Sequence, residues 1–239
     1  MGFCFGMGLF SAGVTWIYVS LHDFGAMPMP IAVIALIILC AYLAIFPALS
    51  IGILAKFRLA SPFVWASIAA ALWMLFEWLR GSLFTGFPWL ALGYSQAPFS
   101  PLAGFAPITG VYGISLVVVF SAALLFIWFE KGLRKWRYGL PFMLIWLSGF
   151  CLQSIEWVKP LGEPVTVSLL QGNIAQDMKW REDHLENTME TYAKLVLESD
   201  SRLIVTPEIS IPLFSDVMPR PYLSYLATHA KNNHGDVLI

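Results

Sequence analysis

The chain is 239 residues long, 58% hydrophobic and only 12% charged, with a formal net charge of −1. That charged fraction is about half of what a water-soluble domain carries, and no basic patch points to nucleic acid. Three cysteines and four histidines show no metal-ligand spacing, which argues against a metal centre or a disulfide scaffold.

The charges are unevenly spread. Residues 1–160 carry eight Lys/Arg and four Asp/Glu, whereas residues 161–239 carry six and eleven. An apolar, mildly basic first part (1–160) therefore joins a polar, acidic second part (161–239).

A membrane-spanning helix needs roughly 20 mostly apolar residues. Five stretches meet or approach that length: 1–21, 31–55, 63–79, 108–129 and 138–155. The third carries Glu77, and the fifth contains Pro141. A cleaved leader shows one short apolar run after a basic start, which a series of apolar runs does not resemble. Cys4, Cys40 and Cys151 lie within the apolar runs and read as small buried hydrophobes. Gly2 and Gly6 make a G-x-x-x-G pattern, a helix-contact signal that also arises by chance.

Loop charges set a direction. Lys56 and Arg58 follow the second span, and Lys131, Arg134, Lys135 and Arg137 lie between the fourth and fifth. The positive-inside rule makes both loops cytoplasmic. Residues 22–30, 80–107 and everything after Glu156 then face outward.

Glu77 and Arg80 share a helix face. They read either as a functional pair or as an interfacial pair at a helix end. The outward loop 80–107 is long and rich in Gly, Pro and aromatics, including Phe84, Phe87, Trp89 and Tyr94. One reading makes it an interfacial anchor. The sharper one makes it the wall of a lipid-accessible site, with Trp89 binding substrate.

After Pro160 the periodicity changes. Val165–Gln171 is β-branched and apolar and reads as a buried strand. Arg181–Glu198 places Leu185, Thr188, Met189, Tyr192, Leu195 and Val196 at helical spacing, with Glu182 and Asp183 in its first turn. Arg202–Thr206 reads as a strand, Tyr222–Asn233 as a helix and Asp236–Ile239 as a strand. The order β-α-β-α-β predicts a parallel sheet in an α/β domain. Ligands in such folds bind beyond the carboxyl ends of the strands. Glu208 stands there after the second strand, as do Asn173 and the 175–180 loop after the first. By position alone Glu208 is either a working carboxylate or a solvated loop acid.

Three segments carry a resemblance: "GFPWLALGYSQ" in the outward loop, "LLQGNIAQDMKW" at the first strand and "TPEISIP" at the second. With "GMGLFSAGVTWIYVSLHDFGAMP" near the start, the chain resembles the apolipoprotein N-acyltransferases of the bacterial inner membrane. The resemblance implies a multi-span α-helical membrane region followed by the start of a nitrilase-like (carbon–nitrogen hydrolase) α-β-β-α sandwich, on the periplasmic side after about residue 156. It implies a phospholipid acyl donor, a diacylglyceryl apolipoprotein acceptor, and no cofactor. The family uses a Glu–Lys–Cys triad, and its glutamate motif matches Pro207-Glu208-Ile209-Ser210-Ile211-Pro212. The resemblance thereby makes Glu208 the general base that activates a cysteine thiol. It also places Trp180 at a substrate entrance, where the plainer reading is an aromatic clamp before a helix.

No cysteine follows Cys151, and Lys179, Lys194 and Lys231 lie outside the family's catalytic-lysine context. The resemblance therefore leads to the expectation of an internal piece of a longer enzyme, with five of eight spans and a truncated, inactive catalytic domain. Two other classes compete. A membrane-anchored amidase would pass its acyl group to water. A non-enzymatic transporter or binding subunit would carry charges in several spans, where only Glu77 approaches that.

Overall fold

The computed structural model describes residues 1–57, 61–133, 135–214 and 216–239. It divides into two compact units, Met1–Lys159 and Pro160–Ile239.

The first unit is helical. It comprises α1 (Gly2–Gly13), α2 (Trp16–Val19, running into a π-turn at Ser20–Phe24), α3 (Met29–Leu54), α4 (Pro62–Arg80), α5 (Ala106–Lys131) and α6 (Trp136–Leu152). Pro30, Pro62 and Pro107 sit in first helical turns, where the missing N–H has no partner to lose. Among the described residues, three helices are long and apolar enough to cross a membrane: Met29–Leu54, Pro62–Arg80 and Pro101–Lys131. The count is four if α1 and the bent segment after it form one span. The sequence predicts an unbroken run over 1–21, but the chain bends there by 54°. Val14 leaves helical backbone, and Leu90 of the later loop packs so tightly on Gly13 that a Cβ there would collide with it. α6 has 17 residues and contains Pro141.

These helices pack on their sequence neighbours, α1 on α3, then α3–α4, α4–α5 and α5–α6. Gly2 and Gly6 are both buried, and a Cβ on Gly6 would lie 2.7 Å from Ala44 Cα and 2.8 Å from Pro47 Cγ. The G-x-x-x-G spacing is thus the α1–α3 contact itself. Phe10, Val14, Cys40 and Leu43 form one apolar core; Ala66, Ala123, Leu124, Ile127 and Tyr138 form another. Ile34, Ile37, Ile38 and Ile45 face outward from α3, as on a helix solvated by hydrocarbon rather than water. Cys40 is buried, but Cys4 and Cys151 are exposed, contrary to the expectation that all three are core residues. In a helix apolar all round, sequence hydrophobicity does not mark the protein-facing side.

The second unit is α/β: β1 (Val167–Leu169), α7 (Glu182–Leu197), β2 (Leu203–Val205), α8 (Arg220–Asn232) and β3 (Asp236–Leu238). The sheet is parallel in the order β1-β2-β3, with Leu169 opposite Val205 and Val205 opposite Leu238. Right-handed crossovers in that order place both helices on one face. There Val196, Ile204 and Leu226 form the core, with Leu170, Ala193, Tyr222 and Val237 around them. Thr188, Tyr192 and Val196 of α7 are buried, on the face read from the sequence. The strands are three residues each, shorter than predicted, and ladder bonds from the flanking Leu170 and Thr206 amides and to the Thr166 and Arg202 carbonyls close their ends.

Candidate functional site

In the α/β unit the parallel register makes β1 and β2 release their chains at the same end of the sheet. The segment after β1 passes through Gly172, where a Cβ would lie 2.8 Å from the Tyr192 ring, and through Asn173 at φ +51°. Asparagine tolerates that left-handed conformation better than most residues. The segment after β2 is a turn. Ser210 N–H donates to the Pro207 carbonyl at 3.1 Å, and the buried hydroxyls of Thr206 and Ser210 meet at 2.8 Å. Within it Ile209 holds φ +53°. A β-branched residue there is strained by about 1–2 kcal/mol. Glu208 sits exposed at the head of this pinned turn, beyond the carboxyl end of the central strand.

The two segments are tied together, because Lys179 Nζ donates to the Glu208 carbonyl at 3.2 Å. Lys179 lies outside the family's catalytic-lysine context. Its spacing from Glu208 along the chain gave no signal, and only the sheet brings them together. Trp180 follows Lys179 and is 61% exposed. Next, Arg181 grips Asp183 with two bonds, Nε–Oδ1 at 3.1 Å and Nη2–Oδ2 at 2.6 Å. The hydrogen bond from Arg181 holds the Asp183 carboxyl below its ordinary range. Asp183 thus fixes the residue just after Trp180 as well as standing in the first turn of α7.

In the helical unit Trp89 lies in the loop between α4 and α5 and is 51% exposed. Its ring stacks on Phe87 with centroids 5.2 Å apart and meets Trp16 at 5.9 Å. Phe84, Tyr94 and Phe99 are also exposed along this loop. The loop is nevertheless tightly held. Gln153 Nε2 donates to the Ser100 carbonyl at 2.8 Å, and Gly104 abuts Gly149 without room for a Cβ.

Glu77 and Arg80 are not an exposed interfacial pair. They are 6% and 2% exposed, and no ion pair within 4.0 Å joins them among the described residues. Each instead bonds to the loop that folds over the end of α4 and excludes solvent. Arg80 Nη1 donates to the carbonyls of Phe87, at 2.7 Å, and of Trp89. Glu77 Oε1 accepts from Leu92 N–H at 2.8 Å and from Trp73 Nε1 at 2.9 Å.

Residues 1–124 match the family model described as apolipoprotein N-acyltransferase N-terminal domain. Over 238 residues the chain is 62% identical to an apolipoprotein N-acyltransferase of Nitrosomonas europaea, covering 100% of this chain and 48% of that protein. A namesake from Chromobacterium violaceum is 41% identical over 232 residues, 96% of this chain and 45% of its own. Another from Ralstonia nicotianae is 38% identical over 241 residues, 100% of this chain and 46% of its own. The chain spans about half the length of the curated relatives it matches.

Proposed function

Because the chain belongs to the apolipoprotein N-acyltransferase family, we propose that Glu208 is the general base of an acyl transfer carried out at the outer surface of the bacterial inner membrane. The observation that carries the reading is the placement of Glu208. It stands on a strained, doubly pinned turn at the carboxyl end of the central parallel strand, in a segment that resembles the family's glutamate motif.

In this reading Glu208 takes the proton of a cysteine thiol supplied by residues outside these 239. The thiolate attacks an ester carbonyl of a phospholipid. The bond to the glycerol oxygen breaks, and the proton returns to that oxygen as the lysophospholipid leaves. The α-amino group of a diacylglyceryl-cysteine then attacks the thioester, loses a proton to Glu208 and expels the thiolate. A lysine outside the chain stabilises the oxyanion of each step. Trp180 and Trp89 contact the lipid substrates, since both rings are half or more exposed on held segments. The α/β unit itself carries no cysteine.

A nitrilase-like sandwich fits the sheet. The face opposite α7 and α8 shows Val167, Leu169 and Leu238 at 50%, 79% and 61% exposure, and an apolar sheet face calls for a second layer. The outward direction rests on Lys56, Lys131, Lys135 and Arg137, which flank α3, α5 and α6 at the ends joined by short links.

The test uses the protein as its gene encodes it, purified in detergent, with a labelled phospholipid and a diacylglyceryl peptide. Glu208→Gln is expected to lower thioester formation at least about 100-fold, the lower range for a positioned acid–base group. Undiminished acylation in Glu208→Gln sinks the assignment.

A further inference from the structure

Glu77 and Arg80 share one face of α4 and both bond to the loop that follows it. We propose that they are positioning residues for Trp89, a carboxylate and a guanidinium on one helix that together clamp the turn carrying its ring. The proposal rests on the reading of Trp89 as a lipid contact. It adds the device that fixes the ring in place.

The geometry is specific. Arg80 reaches the carbonyls on both sides of Pro88, those of Phe87 and Trp89, from a single terminal nitrogen. Glu77 Oε1 takes Leu92 N–H, three residues beyond Trp89. The turn is therefore held through acceptors at 87 and 89 and a donor at 92. One backbone bond also ties the turn to α4, from Phe87 N–H to the Arg80 carbonyl at 2.9 Å, and Leu90 sits at φ +59°, where a branched side chain is disfavoured. Side chains from α4 thus supply what regular structure would otherwise give. A third tether comes from α5, whose buried Ser115 Oγ accepts from Gly93 N–H at 2.8 Å.

The clamp is itself fixed. Trp73 Nε1 donates to the same Glu77 oxygen one turn back, and the Arg80 guanidinium lies 5.1 Å from the centre of the Phe10 ring on α1. Burial makes these bonds to charged groups stronger than their exposed equivalents. Burying both groups costs desolvation that hydrogen bonds must offset. The bonds to the backbone of 87, 89 and 92 and from Trp73 offset part of it, while Glu77 Oε2 stays buried without a partner, so the arrangement favours the one loop conformation that makes those bonds. With the backbone of 87, 89 and 92 held, the Trp89 ring has only its own side-chain torsions left, and Phe87 on one side and Trp16 near it restrict those.

The test labels the full chain with 5-fluorotryptophan in phosphatidylethanolamine/phosphatidylglycerol nanodiscs and assigns the Trp89 fluorine line with Trp89→Phe. Arg80→Lys keeps the charge but lacks the reach to two carbonyls. Glu77→Gln keeps the accepting oxygen, whereas Glu77→Leu removes it. Arg80→Lys and Glu77→Leu are expected to shift or split the Trp89 line by more than its width. Glu77→Gln leaves it in place, and the lines of Trp128, Trp136 and Trp180 hold throughout. A general loss of stability moves all lines together. An unmoved Trp89 line in Arg80→Lys and Glu77→Leu overturns the proposal. If neither variant folds, Arg80→Gln, which keeps a donor but is too short to reach both carbonyls, takes their place: a shifted Trp89 line supports the clamp and an unmoved one overturns it. A phospholipid with a nitroxide on its acyl chain separates this idea from the lipid reading. A Trp89 line that the variants displace but the nitroxide does not broaden keeps the clamp and refutes the lipid contact. A line that the nitroxide broadens but the variants do not move does the reverse.

Discussion

The ammonium of Lys179 donates to the backbone carbonyl of Glu208 across 3.2 Å, joining the segments that leave β1 and β2. This bond closes the carboxyl end of the sheet around the candidate acid. Lys179→Met is expected to free both segments at a cost of about 1 kcal/mol, roughly a fivefold rise in local opening. Hydrogen exchange should quicken at 171–181 and 206–210 and stay unchanged in α7. Equal exchange in both proteins would mean that the bond holds nothing.

Ile209 keeps φ +53° beside Glu208. Ile209→Gly removes the clash between Cβ and the backbone and is expected to raise the stability of the α/β unit by up to about 1 kcal/mol, less the entropy of a freer unfolded chain. A higher urea midpoint checks this. In the protein as its gene encodes it, thioester formation is expected to fall, because the turn no longer fixes the acid.

Gly235 precedes β3 where any Cβ would collide with the Arg202 carbonyl, the acceptor of the 2.8 Å bond from Asp236 N–H. Gly235→Ala is expected to destabilise the α/β unit by about 2–3 kcal/mol, as overpacking against backbone does. The loss should show first as faster exchange of the β3 amides. Unchanged protection there would count against the register.

Gly6 brings α1 onto Ala44 and Pro47 of α3. Gly6→Leu should force the helices apart and cost about 1–3 kcal/mol. Titration with sodium dodecyl sulfate, followed by helix content, reads the loss. An unshifted midpoint would show that the α1–α3 contact is not close.

Tyr222 Oη on α8 donates to the Met189 carbonyl on α7 at 3.0 Å, and burial raises its phenol above the ordinary value. A raised acid keeps its proton longer in the folded state. The associated stability is present below the unfolded value of about 10 and is lost as pH rises through the folded one. Urea midpoints should therefore fall as pH rises past about 10. Tyr222→Phe should remove that part of the slope while costing about 1 kcal/mol at neutral pH.

The apolar runs of α3, α4 and α5 are legible from composition, because a bilayer span needs only length and hydrophobicity. So are α7 and α8, whose alternation of apolar and polar residues has one solution on a sheet bathed in water. Where the surroundings are apolar the pattern falls silent. Nothing in the composition of 1–21 marks the break at Val14, and the close packing of Leu90 on Gly13 beside it comes from far along the chain.

The sequence alone determined the two-part organisation, the parallel β-α-β-α-β order and the placement of Glu208 after a strand, because each follows from periodicity and chain order. Only the tertiary structure decided that Glu77 and Arg80 grip a loop rather than each other, and that Lys179 meets Glu208. Hydrogen-bond partners are fixed by what folding brings within about 3 Å, and spacing along a chain does not record that distance.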